Sequence, residues 1–286
     1  MNCPRCQCYC PDDARACPCG YRFPEDAGLS PRAAKENAGP RSGGLAGKVR
    51  WLRLGFLLSL LLWVLAVWRD DRLPPVRAIL PPLYAEPLQA ADGVPPPFAV
   101  TVKKLNYVVR PLFRYEIAGL VVSQHRSDSF LDTSHRRWRD FLNIKDLCLV
   151  WGRNIASGVY RETRFWNRDF TCMCRFSDEA TARRFSVRHL ANNHLLCADP
   201  ALSRRILRVR PGDQVRLAGF LAEYGQPANG FTRGTSTVRD DTGNGACETI
   251  YVTDLQVLRR ANPGWRAARP LGLAAAGVFL ALLLLA

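Results

Sequence analysis

Residues 54–68 read LGFLLSLLLWVLAVW and residues 271–286 read LGLAAAGVFLALLLLA. Ser59 is the one break in the first block, and the second contains no polar side chain at all. A soluble surface helix keeps a polar stripe for water, whereas a segment that is apolar on every side matches lipid. A span needs about 20 apolar residues. The first block therefore has to draw in Trp51 and Arg53, with Arg53 snorkelling toward the headgroups and Trp51 and Trp68 at interface depth. A cleaved signal peptide would start nearer the beginning and be followed by small residues, but Arg69, Asp70, Asp71 and Arg72 follow here. Two spans are predicted, at residues 51–68 and 269–286, in the cytoplasmic (inner) membrane.

The rest of the 286-residue chain has a soluble composition, 48% hydrophobic and 23% charged overall, which excludes a multi-span transporter. The formal charge is +15. Most of the excess falls in residues 69–260 as arginines scattered singly and in pairs, so a solvated or membrane-facing basic surface is preferred over a dedicated nucleic-acid site. Residues 28–47, rich in Gly, Ala, Pro and Ser, read as a flexible linker within a segment bounded at residues 24–50. Residues 69–97 carry Pro74-Pro75, Pro81-Pro82, Pro87 and Pro95-Pro96-Pro97, and read as an extended, stiff stalk.

Of eleven cysteines, six lie within residues 3–19. Cys3-Pro4-Arg5-Cys6 and Cys17-Pro18-Cys19-Gly20 supply two close thiolate pairs, enough to surround one tetrahedral zinc ion. So short a segment has no room for an apolar core, and the metal would supply its folding free energy. Together with residues 11–18 (PDDARACP), this segment resembles the short zinc-ribbon domain that begins many prokaryotic proteins, over about residues 1–23. The resemblance implies structural zinc on Cys3, Cys6, Cys17 and Cys19 and a docking role without catalysis. The second pair departs from the family spacing by one residue, and Gln7 stands where a glycine is usual, so Cys8 or Cys10 remains an alternative to Cys19.

Residues 98–264 form a β-rich domain. Short β-branched and aromatic runs at residues 98–102, 115–122 and 147–151 read as strands, as do 214–224 and 248–258, the latter following a turn at Asn244-Gly245. Phe170, Cys172, Cys174 and Phe176 share one face of another strand, which makes the two cysteines core residues rather than a metal pair. Residues 177–191 read as a helix, with Asn192-Asn193-His194 as its C-terminal cap, and Asp199-Pro200 opens a second. The class is α+β, with one or two helices beside a possible small barrel. Residues 205–260 bear a loose likeness to the later half of an OB-type barrel. Residues 150–152, 192–195 and 241–248 resemble segments of bacterial membrane proteins, a resemblance that implies location and no reaction.

Lys and Arg near the spans are more numerous on the central side, which by itself would keep the central domain in the cytosol. Long loops translocate largely regardless of charge, and thiolates that hold metal need a reducing compartment. The reading is therefore cytoplasmic termini and an extracytoplasmic domain in a membrane-tethered binding or scaffolding protein. Its partners are the bilayer and other proteins, with no small-molecule substrate identified.

Two alternatives compete with it. Cys247 with one of His125, His135, His189 or His194, and Asp240, Asp241 or Glu248 as the acid, would make an envelope hydrolase. A basic OB-like surface bearing Trp138, Trp151, Phe165 and Trp166 would bind single-stranded nucleic acid. A metal site from His125 and His135 with Asp128 or Asp132 lacks ligand spacing in the sequence.

Overall fold

The computed structural model describes residues 1–24, 43–130, 132–168, 170–238, 241 and 247–286. Most of the expected linker, Asp240 and the turn at Asn244-Gly245 lie outside the described residues. The chain divides into two compact units, Met1–Leu58 with Ala276–Ala286, and Ser59–Ala275. The first contains the cysteine-rich knuckle and the distal parts of the two long helices; the second contains the mixed α+β domain and the proximal parts.

The second unit begins within helix α1 (Gly43–Asp70) and continues through two 3-10 turns, Val76–Ala78 and Pro81–Tyr84, into strand β1 (Leu88–Ala90). Strands β2 (Phe98–Val102) and β3 (Leu105–Arg126), helix α2 (Thr133–Trp138), strand β4 (Asn143–Val150) and helix α3 (Gly152–Ala156) come next. A hairpin of β5 (Thr163–Arg168) and β6 (Thr171–Phe176) precedes helix α4 (Glu179–Arg184) and strand β7 (Leu190–Leu196). Helix α5 (Pro200–Leu207), strands β8 (Gln214–Gln226), β9 (Phe231–Arg233) and β10 (Glu248–Arg259), and helix α6 (Pro263–Leu284) complete the order.

Strand β3 organises the sheet. It pairs antiparallel with β2 over Leu105 to Val109, with β8 over Val108 to Leu120, and with β4 over Leu120 to Arg126. Bulges at Pro111/Phe113 and Val121/Ser123 bend it and let one strand serve successive partners. Strand β4 pairs β7 antiparallel, β7 pairs β10 parallel, and β10 pairs β8 antiparallel, so the ladder returns to β3. Ile117, Leu147, Leu195, Leu217 and Ile250, all fully buried, share the main core.

Several expectations hold. β2 occupies the predicted 98–102, the runs at 115–122, 214–224 and 248–258 lie in β3, β8 and β10, and the run at 147–151 lies in β4 up to Val150. Asp199 caps α5 by accepting from the Ala201 N–H at 2.7 Å, with Pro200 in the first turn. Among the described residues the domain carries four short helices rather than one or two.

Three readings change. The proline-rich segment is not a free stalk. Ile79 and Leu83 are buried against Leu120, Val122, Cys148 and Tyr160. The Gln214 side chain accepts from the Leu80 N–H and donates to the Ala78 carbonyl, both at 2.8 Å. Proline keeps the chain extended, but the apolar residues between the prolines pin it to the domain.

The helix expected over residues 177–191 stops at Arg184, although the Asp178 side chain caps its start. Buried Asn154 explains the stop: its side chain accepts from the Ser186 N–H at 2.8 Å and donates to the Ser186 and His189 carbonyls at 2.8 and 3.1 Å. These bonds occupy backbone groups that a helix would need. The chain then enters β7, so Asn192, Asn193 and His194 are strand residues between β4 and β10 and form no cap. Phe170 leaves the face assigned to it because it adopts φ +61° in the β5–β6 turn. Cys172 is half-buried against the second core, in a disulfide with buried Cys148, and Cys174 is half-buried as well.

Both long helices are long and apolar enough to cross a membrane, and many of their leucines are exposed. In the first unit Gly55 lies against Phe279, whose ring would be 2.5 Å from any added Cβ. In the second, Gly272 lies against the Trp63 N at 2.9 Å and the Ser59 carbonyl at 3.2 Å from the place a Cβ would take. Small residues permit such backbone approach between helices in lipid.

Leu83→Ala removes a fully buried side chain from the segment read as a stalk, and is expected to destabilise the domain by about 2–4 kcal/mol. Chemical denaturation of the full chain in detergent, followed by tryptophan fluorescence, measures this. An unchanged midpoint would show that the segment does not belong to the folded domain.

Candidate metal centre and a buried polar network

The knuckle is built from turns. The Cys3 N–H donates to the Cys8 carbonyl at 2.9 Å and the Gln7 N–H to the Cys3 carbonyl at 2.8 Å. Gln7 adopts φ +60°, the left-handed geometry for which the ribbon family uses glycine. On the other side the Cys17 N–H donates to the Tyr21 carbonyl at 2.8 Å, and Gly20 turns at φ +84°.

These turns bring together the sulphurs of Cys3, Cys6, Cys17 and Cys19, all within 4.8 Å of one another. The Cys3–Cys19 and Cys6–Cys17 separations are both 3.6 Å. A tetrahedral ion with bonds of about 2.3 Å requires sulphurs about 3.8 Å apart, so the group could hold a metal. Cys8 and Cys10 stand outside it, and the Cys10 thiol points to the Cys8 carbonyl at 3.9 Å. Burial alone would raise the Cys3 thiol, but the backbone N–H groups of Arg5 and Cys6 and the neighbouring thiols bring it down to about 7. Backbone N–H bonds pull the other thiols down, but burial and neighbouring thiols raise Cys6 and Cys17 to about 11 and raise Cys19 as well, so Cys3 is the thiol that deprotonates first.

A second cluster joins His125 on β3, Asp132 at the cap of α2, and His135 within α2. The Asp132 carboxylate lies 2.6 Å from both His125 Nε2 and His135 Nδ1, and also accepts from the His135 N–H at 2.9 Å. The structure thus brings His125 and His135 together through Asp132, while Asp128 pairs with Arg126 instead. Burial raises the Asp132 carboxyl, but its bonds to His125 and His135 outweigh that and lower it overall.

The network continues inward. Asn143 Nδ2 donates to His135 Nε2 and to Asp146 Oδ1, each at 3.1 Å. His194 Nδ1 meets the same Asp146 oxygen at 2.8 Å. Asp146 is fully buried, and so is Asp140, which accepts from the Tyr224 hydroxyl at 2.6 Å. Burial alone would lower the His194 pKa, but the Asp146 charge and hydrogen bond, with a further bond to Cys247, raise it to about 9.

Cys247 therefore does sit beside a histidine, and that histidine is His194. The Cys247 sulphur accepts from Asn192 Nδ2 at 3.9 Å and lies 3.6 Å from the Phe170 carbonyl. The acid behind the histidine is Asp146, which the sequence reading did not single out. Asp241 pairs with Ser236 instead, and Glu248 is the next residue along β10. A charged Lys145-Asp146 pair in a strand that opens on Asn143 and ends in the apolar run 147–150 was the available signal for a buried polar site.

Compared with known protein families, with curated proteins and with solved structures, the chain matches none of them.

The geometry predicts one metal ion per chain, lost in Cys17→Ser and kept in Cys8→Ser, as read by elemental analysis of the purified protein. Loss of metal from Cys8→Ser would mean a different ligand set. The His194–Asp146 pair predicts a pH signature. A group raised from 6.5 to about 9 stabilises the fold fully below pH 6.5, and that contribution, on the order of 3 kcal/mol, is lost as pH rises through 9. The melting temperature should fall across this window in the native chain and stay flatter in His194→Gln; equal slopes would disprove the assignment.

Proposed function

We propose that this chain is a two-span protein of the cytoplasmic membrane that tethers a β-rich binding domain on one side and a zinc-bearing knuckle on the other, as a scaffold rather than an enzyme. The carrying observation is the pair of long apolar helices, α1 and α6, that bracket the domain with their leucines exposed. Water would penalise such surfaces heavily and lipid would not.

The cysteines support separate compartments for the two ends. Cys148 and Cys172 are disulfide-bonded within the domain, which suits an oxidising environment. Cys3, Cys6, Cys17 and Cys19 are free thiols gathered around a metal-sized space, and they suit a reducing one. This favours cytoplasmic termini and an extracytoplasmic domain. Zinc is the metal that four thiolates hold best in a closed tetrahedral site, and with no open position it would be structural. The order in which β3, β4, β7, β10 and β8 pair supports an OB-like barrel, although fold likeness assigns no ligand.

The alternatives are weaker on physical grounds. Asp146 and His194 are both buried, so the pair presents almost no surface to a substrate. Asp146 and His194, with half-buried Cys247 beside them, are thus read as a structural group. A stacking platform for nucleic acid is also disfavoured, because Trp151 is buried in the core and Phe165 packs against the second core, which leaves Trp138 and Trp166 of the four aromatics.

The expected outcome is that the full chain stays in the pellet after alkaline carbonate treatment. A phosphatase fusion within residues 100–260 should be active and one after residue 45 inactive. Release into the carbonate supernatant would overturn the tether; the reverse fusion pattern would overturn the orientation.

A further inference from the structure

Where the helices meet the domain, a pocket of about 620 Å³ is lined by seven arginines and a single acid, Asp71. Arg204 and Arg208 come from the end of α5 and its C-cap, Arg260 follows β10, and Arg266 and Arg269 lie in the first turns of α6. Arg126 and Arg210 complete the wall.

The charges do not cancel. Arg210 and Arg269 pair with Asp70, Arg266 with Asp70 and Asp213, and Arg126 with Asp128. Counting Asp71 as well, seven positive charges meet four negative ones, which leaves +3. Arg204, Arg208 and Arg260 have no carboxylate partner among the described residues. Gathering like charges in one concavity costs free energy unless an anion is held there.

We propose that this pocket binds the phosphate of an anionic lipid headgroup. The inference rests on the two-span reading, because that reading puts the end of α1 and the start of α6, and hence the pocket mouth, at headgroup depth. Guanidinium forks match phosphate oxygens bidentately, and their long apolar stems suit the interface. A basic pocket between membrane helices is a general solution for anionic headgroups.

The test uses the full chain in detergent, with short-chain phosphatidylglycerol, short-chain phosphatidylcholine and inorganic phosphate as probes, read by thermal shift and by titration. Phosphatidylglycerol should bind at least about tenfold more tightly than phosphatidylcholine and should raise the melting temperature. The advantage should shrink as salt rises and disappear when Arg204, Arg208 and Arg260 are all replaced by Gln. Replacing the same three by Lys should retain most of it, which separates loss of charge from loss of fold.

Equal affinity for the two lipids would overturn the proposal. Inorganic phosphate binding as tightly as phosphatidylglycerol would make this a soluble-anion site, and displacement of the lipid by a single-stranded oligonucleotide at equal phosphate concentration would make it a nucleic-acid site; either result overturns the lipid assignment. Carbonate extraction distinguishes the two levels of failure. A chain that leaves the membrane refutes the tether, whereas a chain that stays but shows no lipid preference refutes only the pocket.

Discussion

One buried carboxylate ties the ends of the two long helices to the domain. Asp70 closes α1 with no exposed surface, and it faces Arg210 at 2.8 Å, Arg269 at 3.0 Å and Arg266 at 3.2 Å. A carboxylate taken out of water costs several kcal/mol unless charged hydrogen bonds replace its hydration. Arg210 and Arg269, from two separate elements, supply them to Oδ2, while Arg266 faces the buried Oδ1 as an ion pair without a hydrogen bond. Asp213 repeats the arrangement alongside, accepting from Arg266 at 2.7 Å and from the N–H groups of Ala261 and Arg210 at 2.9 and 3.0 Å. The end of α1, the turn before β8 and the start of α6 are thus tied at one place.

That junction sets the frame on which the sheet depends. Asp213 opens β8, its carbonyl accepts from the Val121 N–H at 2.9 Å, and the Gly212 N–H returns a bond to the Val121 carbonyl at 2.7 Å. Val121 lies at the second bulge of β3, where that strand passes from its β8 partner to β4. The buried acids at the junction and the bend in the longest strand therefore belong to one hydrogen-bonded assembly, and the Asp146–His194 network is positioned by the β4 and β7 strands that follow from it.

Much of this was legible in the sequence where a local pattern carries the information. A β-branched and aromatic run marked β2, Asp199-Pro200 marked the start of α5, and the near absence of polar side chains marked the two long helices. The four-cysteine group was legible because its ligands lie in two short turns. The rest depends on partners distant in the chain. Nothing near Ser186 shows that Asn154 will take its backbone bonds and end a helix. His125 and His135 look scattered until α2 folds back so that Asp132 bridges them. The proline-rich segment was misjudged because composition reports backbone stiffness, while Ile79 and Leu83 decide where a stiff segment lies.

The surplus of arginine follows from the same junction. Asp70 and Asp213 are neutralised by Arg210, Arg266 and Arg269, and those three would have sufficed to satisfy both acids. Arg204, Arg208 and Arg260 therefore add nothing to the ion pairs that hold the helices, and their mutual repulsion opposes the compact fold. Residues that weaken a junction while lining its pocket make physical sense if an anion completes it. The bilayer surface, to which α1 and α6 would bring this face, is where such an anion is most concentrated.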